Sequence, residues 1–70
     1  MDTLVKVLEY FLRLARNAED FKTRNVFFSQ AFGALQYHIW THLEEEEEVA
    51  ELWNEEYRPK FEELLWSEIT

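Results

Sequence analysis

The chain has no cysteine, a single glycine, a single proline and no long apolar run. Without cysteine, neither disulfides nor thiolate metal sites can add stability. That matters at 70 residues, because a chain of this size buries only about 60% of its unfolded surface. Oligomerisation is the remaining source of support, unless a metal is held by histidines and carboxylates. With so little glycine and proline, and with abundant leucine, glutamate and alanine, the composition predicts an all-α fold in one domain, residues 1–70. Nothing approaches the roughly 18 apolar residues of a membrane span. The opening MDTLVKVLEYFLRLAR is interrupted by Lys6, Glu9 and Arg13, unlike the apolar stretch of a signal peptide. The expectation is a cytoplasmic protein that does not engage membranes.

Catalytic signatures are also missing. The hydroxyls of Thr3, Thr23, Ser29, Thr41, Ser67 and Thr70 lie in no nucleophile motif, and there is no phosphate-binding loop. Glutamates are plentiful, but no glycine-containing loop frames a pocket for them. The chain is therefore read as a non-enzyme without a cofactor.

Charge is abundant but uneven. Residues 1–40 hold five cations against four carboxylates, a balance of +1, whereas residues 41–70 hold eleven glutamates against Arg58 and Lys60, a balance of −9. Direct nucleic-acid binding is disfavoured, since it needs clustered lysine and arginine. The basic residues Lys6, Arg13 and Arg16 are expected to pair instead with the acidic C-terminal helix, within or between chains. The run Glu44–Glu48 reads first as a solvated helix start. A second reading makes it an acidic stripe that mimics nucleic acid and inhibits a basic protein.

What is present in excess is aromatic: 17% of residues, more large rings than three short helices can hide. Such rings are enriched at interfaces. The first helix is predicted from Asp2 to Asn17, with Leu4, Leu8, Phe11, Ala15 and Ala18 as its seam, widened by Val5, Val7, Leu12 and Leu14. Asp2 or Thr3 is a candidate cap for it, and Asp20 and Thr23 compete to cap the second helix, which runs to about Thr41.

That second helix contains Val26–Trp40, which is apolar on two sides. At the helical advance of about 100° per residue, Phe28, Ala31, Phe32, Leu35, Ile39 and Leu43 share one side, with Phe21 upstream. Val26, Gly33, Tyr37 and Trp40 gather on the opposite side. Two apolar stripes imply a helix shared between neighbours. Gly33 marks either a close approach by another backbone or a tolerated glycine.

A break is expected between Thr41 and Glu46, with Thr41 and Glu44 fitting a capping box. One uninterrupted helix from Phe21 to Tyr57 is the alternative. In the third helix Val49, Ala50, Trp53, Tyr57, Phe61 and Leu64 keep one register through Pro59, so the prediction is a kinked, continuing helix rather than a short fourth one. Leu65, Trp66 and Ile69 fall off that stripe.

The fold expected is thus a three-helix unit, a hairpin plus a proline-kinked third helix, assembled as a homodimer. Its interface candidates are Val26, Gly33, Tyr37, Trp40 and Trp66. The leading function is a self-associating protein-interaction or regulatory module. One alternative is a divalent-metal protein using His38 and His42, which are four apart on one helix, with Glu45 or Glu46 a turn further on. The acidic mimic is the other.

Overall fold

The computed structural model describes residues 2–66, which are entirely helical apart from short joints. Three helices pack into a rod of 39 × 17 × 16 Å. α1 spans Asp2–Asn17 and α2 spans Phe21–Thr41. After a 3-10 turn at Leu43–Glu45, the third helix is assembled from α3 (Glu46–Leu52), a π-helical turn (Trp53–Tyr57) and α4 (Arg58–Trp66).

α1 forms where its seam requires. Leu4, Leu8, Leu12 and Ala15 are buried along one side, so Leu12 takes the central place predicted for Phe11, which packs half-buried at the edge of the core. Asp2 and Thr3 lie inside the first turn rather than ahead of it, where a carboxylate suits the positive end of the helix dipole.

The contest to cap α2 goes to Asp20. Its backbone is extended, its Oδ1 accepts from the Thr23 N–H at 2.7 Å, and the Thr23 hydroxyl donates to Oδ2 at 3.1 Å. These two bonds hold the Asp20 carboxyl below its ordinary pKa. Arg24 then ties two helix ends together. Its Nε donates to the carbonyl of Ala18 at 3.1 Å and its Nη1 to the carbonyl of Leu64 at 3.0 Å, serving oxygens that a helix terminus leaves open.

α2 ends at His42, whose N–H still reaches the His38 carbonyl at 2.8 Å. The single long helix is excluded, but the expected capping box is absent as well. The Thr41 hydroxyl donates backwards to the carbonyls of Tyr37 at 3.0 Å and His38 at 3.2 Å, because Thr41 is still inside α2 and a threonine there bonds its own preceding turn. Neither His42 nor Glu45 makes a side-chain capping bond to the helix that follows. Glu46, Glu47 and Glu48 occupy the first turn of α3, where their charge favours the dipole.

The third helix runs through Pro59 as expected, and its irregularity sits one turn earlier. The Arg58 N–H bonds the Trp53 carbonyl, five residues back. Proline has no N–H for the residue four before it and crowds that carbonyl, and the wider turn relieves both defects. The turn also changes the phase. The buried residues Val49, Trp53, Tyr57, Phe61 and Leu65 repeat every fourth position, which in an unbroken α-helix would drift about 160° from first to last. One extra residue in the ladder takes back about 100° of that drift. Leu65 is therefore buried and Leu64 only half-buried, the reverse of the sequence reading. Ile69 lies outside the described residues.

The core closes on rings. Phe28 stacks on Trp53 with centroids 5.8 Å apart, and Phe61 meets Phe28 at 5.5 Å and Trp53 at 6.0 Å. From α1, the Glu9 carboxylate accepts the Tyr57 hydroxyl at 2.8 Å.

Candidate functional site

α2 presents two unlike sides. Ala31 and Leu35 are buried, with Phe28 and Ile39 packed against the core beside them. On the opposite side Val26 is 46% exposed, Tyr37 67% and Trp40 75%. Gly33 lies among them, also exposed. The second stripe read from the sequence thus has no cover among the described residues. Three residues assigned to the inward stripe also face water: Phe21 stands exposed at the start of the helix, Phe32 rests against Trp53 at 5.8 Å yet stays exposed, and Leu43 sits in the turn beyond the helix. Phe32 is at the edge of the contact, and Leu43 has lost the helical register that placed it.

The outward face is free of formal charge. Between Asn25 and Leu43, 19 residues pass without Asp, Glu, Lys or Arg in a chain that is 31% charged. Gln30 and Gln36 flank Gly33 and are exposed. The periodicity reading weighed apolar residues and passed over this gap, although counting charges along the chain would have found it.

Gly33 serves nothing inside its own chain. A Cβ built there meets no heavy atom within 4 Å, so alanine would fit, and a helix-interior glycine costs about 1 kcal/mol relative to alanine.

Trp66, the fifth candidate for this surface, is exposed but stands apart from the others. The α4 end is pinned to Arg24 near the start of α2, about 24 Å along the helix from Trp40.

The two histidines come together at the end of α2. Their rings stack face to face, with centroids 4.3 Å apart and planes within 8°. His38 Nε2 lies 3.1 Å from Glu45 Oε1, while His42 Nδ1 lies 2.9 Å from the Thr41 hydroxyl. The hydrogen bond from His38 holds the Glu45 carboxyl below its ordinary pKa. Of the two glutamates considered as further ligands, Glu45 is the one bonded to a histidine. Among the described residues, no group of three or more His, Asp or Glu side chains is placed to hold a metal ion. The arrangement instead ties the end of α2 to the turn that follows. Beside it, a groove of about 420 Å³ opens between Thr3, Leu4 and Val7 of α1 and Ala34, Tyr37 and Thr41 of α2.

Among the described residues, the expected pairing of α1 cations with the acidic third helix is not made. Among the described residues the ion pairs are His38–Glu45 and, at 2.7 Å, Arg58–Glu62. The guanidinium of Arg13 lies over the Tyr10 ring at 5.7 Å, and the α1–third helix polar contact is the Tyr57–Glu9 bond. The reason is local: Lys6, Arg13 and Arg16 are exposed and line a shallow groove with Glu9 and Tyr10 of their own helix. Glu44, Glu46, Glu47 and Glu48 are exposed, as a solvated run would be. No helix among the described residues is long and apolar enough to cross a membrane. The chain matches no protein family, no curated protein and no solved structure.

Proposed function

We propose that this chain is a non-enzymatic helical protein that acts by binding protein, first of all itself as a homodimer, through the outward face of α2. The observation that carries the reading is a charge-free, aromatic stripe, Val26, Gly33, Tyr37 and Trp40, standing in solvent along the longest helix of a strongly charged molecule. Large exposed aromatics form the anchors of interfaces. Charge-depleted surface is the compositional mark of an interface core. A chain of 70 residues also gains most from this arrangement, since its own core is small.

Sedimentation equilibrium of the wild type, Tyr37→Ala and Trp40→Ala over a wide concentration range tests it. The expected outcome is association in the wild type and at least tenfold weaker association in each variant. Helical circular dichroism and monomer unfolding stay unchanged. If helicity and association fall together, these rings belong to the chain's own packing and the proposal fails.

A further inference from the structure

We infer that the partner on this face is a second copy of the chain lying antiparallel, with the two α2 helices meeting backbone to backbone at Gly33. This rests on the self-association reading and specifies its geometry.

The first ground is the glycine itself. Gly33 lies inside a regular helix, exposed, with open space where a Cβ would stand. Nothing among the described residues rewards the absence of a side chain, whereas a second helix pressed against that point would.

The second ground is the order of residues on either side. Val26 is seven residues before Gly33 and Trp40 seven after; Ser29 and Tyr37 are each four away, and Gln30 and Gln36 each three. A two-fold axis through Gly33 sets residue 33 − n against residue 33 + n, the self-complementary relation of a closed dimer. Val26 then meets Trp40 of the partner subunit, a small side chain against a large one. Gln30 meets Gln36 of the partner subunit, amide against amide. The seam Val26, Gln30, Gly33, Tyr37, Trp40 is spaced four, three, four, three, the repeat along which two helices stay in contact at a shallow angle.

Charge supplies the third ground. Two chains of net charge −8 repel, and this face is where they can touch without opposing like charges. Lys22 is exposed near one end of the helix, and the other end gives way to the acidic turn Leu43–Glu45, so the antiparallel pair brings Lys22 toward the acidic turn of the partner subunit. A parallel pair would set lysine on lysine and Trp40 on Trp40.

Gly33→Ala and Gly33→Leu, measured by sedimentation equilibrium and by thermal unfolding at concentrations where the chain is monomeric, test the contact. Gly33→Ala is expected to raise the monomer's melting temperature, since alanine is the better helix former and meets no clash, while weakening self-association at least tenfold. Gly33→Leu abolishes self-association. Orientation is read by oxidising an equimolar mixture of Gln30→Cys and Gln36→Cys chains, which carry no other cysteine: the mixed disulfide should dominate. Dominant like-with-like disulfides, or association unweakened in Gly33→Ala, overturn the antiparallel crossing while leaving self-association standing. A wild type that stays monomeric throughout overturns both.

Discussion

α2 and the third helix meet the same difficulty, an apolar pattern that does not keep to one side, and they resolve it in opposite ways. Glu46–Trp66 changes its own geometry: the π-helical turn at Trp53–Tyr57 gathers Trp53, Tyr57, Phe61 and Leu65 onto the face that α1 and α2 cover. α2 keeps regular geometry for its full length and leaves Tyr37 and Trp40 in water. A helix is distorted where its own chain supplies the neighbour and left regular where it does not. The third helix is thus the part committed to folding, and the outer side of α2 is the part available to something else.

The sharpest way to break this contrast is to insert one alanine after Asn54, an exposed residue within the π turn. One added residue beyond what the wide turn absorbs rotates α4 by about 100°, taking Phe61 and Leu65 out of the core. Losses of this kind cost about 3–5 kcal/mol for a single large buried ring. We expect a chain without a cooperative melting transition in near-ultraviolet circular dichroism. A melting temperature within a few degrees of wild type would mean that the turn is incidental.

A smaller effect follows from Tyr57. Burial and the bond to the Glu9 carboxylate push its hydroxyl up to about 12. In the unfolded chain it titrates near 10, so the neutral form stabilises the fold. This contribution is fully present below about pH 10 and is lost as pH rises from about 10 to 12. Chemical denaturation across that window should show up to about 2 kcal/mol of decline in the wild type beyond that of Tyr57→Phe. Parallel curves for the two proteins would place the hydroxyl in water.

Asp20→Ala tests the start of α2, where about 1 kcal/mol is expected from loss of the cap. The same change at Thr23 should cost less if Asp20 alone is the cap. Smallest of all is the effect of Trp40→Ala on the monomer, within about 0.5 kcal/mol, as for an exposed residue outside any core. A larger loss in the monomer would erase the contrast between the two helices.

Much of the framework could be read from residues alone. Apolar residues three and four apart, Leu4, Leu8, Phe11 and Ala15, mark out α1, and Asp20 was one of two caps that local chemistry allowed. The break after Thr41 falls where the apolar stripe gives way to glutamates. The π turn was illegible because a count at 100° per residue assumes the regularity that the turn abolishes, and this assumption exchanged the roles of Leu64 and Leu65. Tyr57–Glu9 and Arg24–Leu64 join residues 48 and 40 positions apart, and no local pattern announces such bonds. For the candidate surface, the stripe itself was visible from spacing. The emptiness around Gly33 needed coordinates, because a sequence cannot say whether a glycine's missing side chain is missed.

The clasp made by Arg24 has a consequence for the order of events in folding. Its guanidinium bonds the turn between α1 and α2 on one side and the last turn of α4 on the other, and the second of these bonds closes a forty-residue loop whose entropy must be given up before that bond is rewarded. α1 and α2 are joined by a three-residue joint, 18–20, so their contacts can grow outward from it without first closing a long loop. A hairpin that forms early and a third helix that locks late, with one side chain registering the arrival of the far end, is the sequence of steps this connection imposes.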